Sequence, residues 1–164
     1  LSSNIILGGV PSKEASKYWF MNNAMIKQTE AGYVFNIRKQ GTMFQERKLA
    51  VVVNDVNIRI DYNNMSSENA KVDLVFLSDN FGKVALAIEL LANTSELLEI
   101  PYSLGGDTID SYHIEIRGSD GDMNINYIEV SGGIKDTSIS TDVQEFANKS
   151  ILYGAKADIP DIRW

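Results

Sequence analysis

The chain has 164 residues, 44% of them hydrophobic and 23% charged, with a formal net charge of −7 and no cysteine. That is the make-up of one globular domain, able to bury a core without disulfides or thiolate metal sites. The acidic balance excludes nucleic acid, whose phosphates demand a basic footprint, and argues equally against an anionic lipid surface. No apolar run approaches the roughly 20 residues that span a bilayer. The longest, residues 84–92, is interrupted by Glu89, so no membrane insertion is expected. Leu1-Ser2-Ser3 is no signal peptide, and the chain is expected to begin inside a longer polypeptide.

Residues 4–7 read as a short first strand, broken by Gly8, Gly9 and Pro11. Residues 12–17 are small and polar, a loop or a single helical turn. Tyr18, Trp19 and Phe20 then form the most aromatic spot in the sequence. Strand candidates at 24–28 and 33–38 flank a turn at Glu30, Ala31 and Gly32, with Tyr33, Phe35 and Ile37 sharing one face of the second. After a turn at Gln40 and Gly41, residues 43–53 predict one long bent strand or two shorter ones.

Residues 56–62 alternate Val56, Ile58, Ile60 and Tyr62 against Asn57, Arg59 and Asp61. Val72, Leu74 and Phe76 continue the pattern, and residues 78–82 make the next turn. Residues 84–90 contain good helix formers, but their strict alternation predicts a strand. A short strand at 97–100 precedes Pro101. Tyr112, Ile114 and Ile116 then alternate with His113, Glu115 and Arg117. Gly118 to Gly121 supply turn chemistry before a strand at 123–130, and the two strands are expected to pair as a hairpin.

About nine strands at regular spacing predict an all-β fold, an antiparallel β-sandwich or jelly roll. Val56, Ile58, Ile60, Val72, Leu74, Phe76, Leu86, Ile88, Ile114 and Ile116 are its expected core. The sandwich should occupy residues 1–133. Residues 134–164 form a mixed C-terminal tail, with Asp142 placed to cap a short helix. Its side chains include Phe146, Ile151, Leu152, Tyr153 and Trp164, too apolar for a solvated linker. It is expected to act as a strap on its own domain or as an oligomerisation segment.

Chemistry-bearing groups are sparse. Asp120 to Asn124 match the first half of a calcium loop, but Ile125 and Ser131 stand where that loop needs Gly and a bidentate Glu. A polar turn is the better reading. His113 is the only histidine, which excludes catalytic sites and metal cages built on two or more. Asp61, Asp73, Glu89 and Glu115 are expected on outward strand faces, where a carboxylate pair for glycoside hydrolysis is conceivable; in an acidic protein such residues are also the ordinary solubility device. Three successive aromatics cannot all point inward along a strand. Trp19 therefore either plugs one end of the sandwich or offers a stacking face to a sugar ring.

The segment Asn4 to Gly9, Trp19, Phe44-Gln45 followed by 49–53, the alternating strand 56–62, the strand-turn-strand 72–90 and the pair 112–117 and 126–130 together resemble the jelly-roll carbohydrate-binding modules related to the galactose-binding-like fold. The resemblance spans residues 4–133. It departs at Gly8 and Asn126, where such modules usually carry Asn and Asp. It implies a non-catalytic module that needs no cofactor and binds a cell-surface or polymeric glycan. A sugar would stack on Trp19 or Tyr33, with Arg38, Arg59, Asp61 and His113 bonding its hydroxyls. Similar modules occur in bacteriophage tail spikes and fibres, which implies an extracellular or virion location and a homotrimer assembled through the tail. A structural sandwich that caps a fibre without binding sugar is the alternative.

Overall fold

Three of the expected strands are one. In the computed structural model, which describes residues 2–78, 81–104 and 108–134, β3 runs unbroken over Gly32–Asn64. Before it come β1 (Ser2–Asn4), a single 3₁₀ turn (Ala15–Tyr18) and β2 (Phe20–Thr29). After it come β4 (Ala70–Ser78), β5 (Gly82–Leu90), β6 (Thr94–Ser103), β7 (Thr108–Arg117) and β8 (Met123–Ile134). All pairings are antiparallel, and no α-helix occurs among the described residues. The tail beyond Ile134, its expected helix included, lies outside the described residues.

β3 serves both layers because it changes partners along its length. Its first half pairs with β2 on one side and, on the other, with β8 over residues 35–37 and then with β7 from Thr42, and β7 continues to β4 and β5. Its second half pairs with β6 and β8, and β8 continues to β1. Register shifts between Lys48 and Val51 and between Val53 and Val56 mark the corner. Across it the inward-facing positions switch from odd (Phe35, Ile37, Met43) to even (Val56, Ile58, Ile60, Tyr62), all buried. A bulge changes side-chain parity in this way, and strands that turn from one sheet to another commonly use one. The result is an antiparallel jelly-roll sandwich. Its core matches the expected one, with Leu86 only half-buried.

β7 and β8 do not form a hairpin. β3 lies between them, so the five residues 118–122 carry the chain across β3 rather than back along β7. The crossing rests on the point where β3 leaves β8 and meets β7. Gly118 N–H donates to Gly41 C=O at 2.8 Å, and Gln40 N–H donates to Ser119 C=O at 2.8 Å. Gln40 takes a left-handed φ of 57°, and Asn23 on the facing strand has φ of 51°. The backbones are so close here that a Cβ on Gly41 would stand 2.2 Å from Asn23 O. Glycine is required at that position by contact, not by dihedral.

Polar side chains inside the sandwich stitch down the irregular N-terminal segment. Ile5 and Ile6 are buried, so their backbone needs partners other than water. Arg47 Nη1 donates to Ile5 C=O at 2.7 Å, and Gln45 Nε2 donates to Leu7 C=O at 2.8 Å and Tyr18 C=O at 3.2 Å. Asn4 Oδ1 accepts from the N–H groups of Ile6 and Val130, both at 3.0 Å.

Candidate functional site

The outer face of the β2–β3–β7–β4–β5 layer carries a cleft of about 410 Å³. Strand register dictates its floor. In one cross-strand row Phe44 opposes Glu115, Glu115 opposes Asp73, and Asp73 opposes Ala87. In the next, Glu46 opposes His113, His113 opposes Val75, and Val75 opposes Ala85. Directly opposed residues on one sheet face hold their Cβ atoms about 4.5–5.5 Å apart. The two rows therefore form one compact patch, with Val75, Ala85 and Ala87 as its apolar corner on β4 and β5, Phe44 at the β3 end, and Glu115 and His113 of β7 between them.

The base of the patch is more buried than an ordinary solvated sheet face. Phe44, Glu46 and Val75 are each only 6% exposed. The rings of Phe44 and His113 lie 6.0 Å apart at 34°. Arg117 Nη2 donates to Glu115 Oε1 at 3.2 Å, which orients that carboxylate at the cleft edge. Ala85 and Ala87 are exposed on the β5 side, as is Asp73 beside them on β4.

Of the residues singled out in the sequence, only His113 belongs to this cleft, joined there by Asp73 and Glu115 from the carboxylate set. Trp19 does not offer a stacking face. It is 3% exposed, packs edge-on against Phe35 at 5.8 Å and 63°, and donates its indole N–H to Gly8 C=O at 2.8 Å. The aromatic run resolves because the chain enters β2 at Phe20, leaving Trp19 free to turn inward. Tyr33 is half-buried beside the β2–β3 turn, and Arg38 is exposed near the Gln40 bend.

Arg59 and Asp61 lie on the opposite side of the sandwich, on the outer face of the β6–β3–β8 layer. Arg59 opposes Glu99 on one neighbour and Glu129 on the other, with ion-pair distances of 3.9 and 3.5 Å. Its guanidinium sits 5.9 Å from the Tyr127 ring centroid, and Asp61 accepts from Asn126 Nδ2 at 3.0 Å. This is a partly exposed ladder of paired charges, and such surface pairs contribute little. These residues cannot contact the same ligand as His113.

Phe44, Glu46, Val75, Ala85 and Ala87 were missed. A signal for two of them exists in the sequence: Phe44 and Val75 are large apolar residues on the parity opposite to the core positions of their strands. The half calcium motif is a turn. Ser67 Oγ donates to Asp120 Oδ2 at 2.6 Å, which holds that carboxyl below its ordinary range, and β8 begins at Met123 where a calcium loop would continue. Among the described residues no group of three or more His, Cys, Asp or Glu is arranged to hold a metal ion.

Together these elements define a jelly-roll β-sandwich with a cleft on one sheet face. No protein-family model matches the sequence, and no curated protein matches it. Solved structures do match in fold. Tailspike protein 4 of bacteriophage CBA120, in its enzymatically active domain, is similar over 79% of this chain and 21% of its own, with a TM-score of 0.57 and 12% identity. The CBM22-1–GH10 modules of Clostridium thermocellum endo-1,4-β-D-xylanase 10B, complexed with xylohexaose, are similar over 86% of this chain and 30% of theirs, with a TM-score of 0.52 and 6% identity. A family 16 carbohydrate-binding module is similar over 77% of this chain and 99% of its own, with a TM-score of 0.52 and 11% identity. The chain thus spans a minor part of the first two and the whole of the third. At such identities the likeness is one of fold.

Proposed function

We propose that the chain is a non-catalytic glycan-binding module of a larger polypeptide, and that the Phe44–His113 cleft is its sugar site. The observation that carries this reading is the combination in one cleft of the exposed alanines of β5 with the carboxylates of Asp73 and Glu115 and an imidazole. A pyranose ring has an apolar C–H face and a rim of hydroxyls. The exposed Ala85 and Ala87 suit the first, and the exposed Asp73 with the half-buried Glu115 and His113 suits the second as hydrogen-bond partners, over a buried base of Phe44, Glu46 and Val75. The fold is also that of a carbohydrate-binding module and of a xylanase fragment crystallised with xylohexaose. A cell-surface or polymeric glycan as the ligand places the parent protein, on this reading, at an extracellular or virion surface.

Glycan-array binding of the full chain, repeated with Ala87→Trp, tests the reading. Ala87 is exposed at the cleft edge, so a bulky ring there should block the sugar while the domain stays folded. Retention of full binding by the folded variant would remove the cleft from consideration. The tailspike similarity favours a second reading, a sandwich that joins subunits of a fibre through its tail. A homotrimer in solution with no glycan bound on the array would select it.

A further inference from the structure

We infer that the free edge of β5 pairs antiparallel with the same edge of a second copy of this chain, about a two-fold axis at Leu86. Among the described residues four strands have a single neighbour, namely β1, β2, β5 and β6. Three of them carry a device that discourages strand addition. β1 is three residues long, β2 is interrupted by a register shift at Asn23 with its left-handed φ of 51°, and β6 contains Glu99 and Pro101. β5 has none of these. It opposes β4 without a register shift over the whole of Gly82–Leu90, lacks proline, and is uncharged from Val84 to Ile88.

The two ends of β5 select the partner. An antiparallel pair centred on Leu86 sets Lys83 opposite the partner's Glu89, and Glu89 opposite the partner's Lys83. Opposite charges facing each other across such a pair stabilise it, and like charges weaken it. Within its own sheet Glu89 opposes Lys71 and accepts from Asn69 Nδ2 at 3.1 Å, so the pair holds it between two lysines. On the outer face the exposed Ala85 meets the partner's Ala87, small against small. On the inner face the half-buried Val84 meets the partner's Ile88, and Leu86 meets the partner's Leu86, which extends the core across the axis. Ala85 and Ala87 also line the cleft, so pairing sets the clefts of two copies side by side on one continuous sheet. A nine-residue edge about 30 Å long and about 10 Å deep buries on the order of 600 Å² in all. Stable interfaces bury about 1,200–2,000 Å², so this association is weak and dissociates on dilution. It is independent of what the cleft binds.

Sedimentation equilibrium of the full chain from about 1 µM to about 500 µM tests this. The weight-average mass should climb from one chain toward two as concentration rises. Lys83→Glu and Glu89→Lys each set like charges face to face at both ends of the pair, and each should move the association about tenfold higher in concentration. Both side chains are exposed, so both variants should fold, which thermal melts check. The combined variant restores opposite charges in the swapped sense and should return the parent's curve. A full chain that stays monomeric throughout overturns the inference, and association seen only once residues 135–164 are removed would make the tail the cover of β5. Association that the single variants leave unchanged, or that the combined variant does not restore, overturns it as well.

Discussion

The Tyr112 hydroxyl donates to Gln45 Oε1 and accepts the Leu7 N–H at 3.2 Å, so one buried phenol ties β7, β3 and the N-terminal segment together. Burial pushes its pKa up from 10.0 to about 12, only partly offset by the nearby Arg47 charge. A phenol whose folded pKa is raised contributes stability in full below the unfolded value, and loses it as pH rises toward the folded one. The domain should therefore weaken between about pH 10 and pH 12, by up to about 3 kcal/mol from this group. Tyr112→Phe should lower stability by about 1–3 kcal/mol at neutral pH, because Gln45 and Leu7 lose their partner. It should also flatten the alkaline limb, leaving the smaller part due to Tyr62, which burial shifts the same way. Chemical denaturation at pH 8, 10 and 11.5 checks both.

Trp19→Ala should cost about 3–5 kcal/mol, as truncation of a buried large side chain does. Trp19→Phe keeps most of the packing on Phe35 but loses the bond to Gly8, and should cost less. Thermal melts read the difference. A Trp19→Ala protein that melts like the parent would return this ring to the surface.

Gly41→Ala should destabilise by about 1–3 kcal/mol, the usual range for overpacking, because a Cβ there would meet Asn23 O and Arg38 O. Gly32, where a Cβ would meet nothing within 4 Å, is the contrast, although its φ of 127° still disfavours a side chain. The damage at Gly41 should be to the β2–β3–β7 junction, visible as accelerated amide exchange at Gly118 and Gln40, whose N–H bonds cross there.

Arg59→Ala should change stability by no more than about 1 kcal/mol and leave glycan binding unaltered. The residue lies across the sandwich from the cleft and is held by pairs with Glu99 and Glu129. Loss of glycan binding on this substitution would place a site on the β6–β3–β8 face instead.

Removing residues 135–164 leaves β8 whole and should yield a folded monomer. Under the fibre reading the full chain is a trimer and the truncated one is not. A full chain that sediments as a monomer at micromolar concentration makes the tail a segment of its own domain.

Alternation by itself determined the fold class and most of the core. In residues 56–62 or 72–76 each successive side chain turns to the opposite face, so burial follows from local geometry and can be read without knowing any partner. The same rule made 84–90 a strand against its helix-forming composition, as β5 is. The tertiary structure decided what alternation cannot express, namely which strands neighbour one another. Gly118 to Asp122 read locally as a reversal, yet the chain crosses β3 there, where the backbone of Gly41 and Gln40 hydrogen-bonds to Gly118 and Ser119 of the loop. Pairing also decided the site. Phe44, Val75 and His113 are far apart in sequence and become one floor only through the register of β3, β7 and β4, a non-local property fixed by the core on the other side of the sheet. Trp19 went the other way, since its place depends on where β2 begins and on a carbonyl at Gly8, neither of which its own neighbourhood specifies.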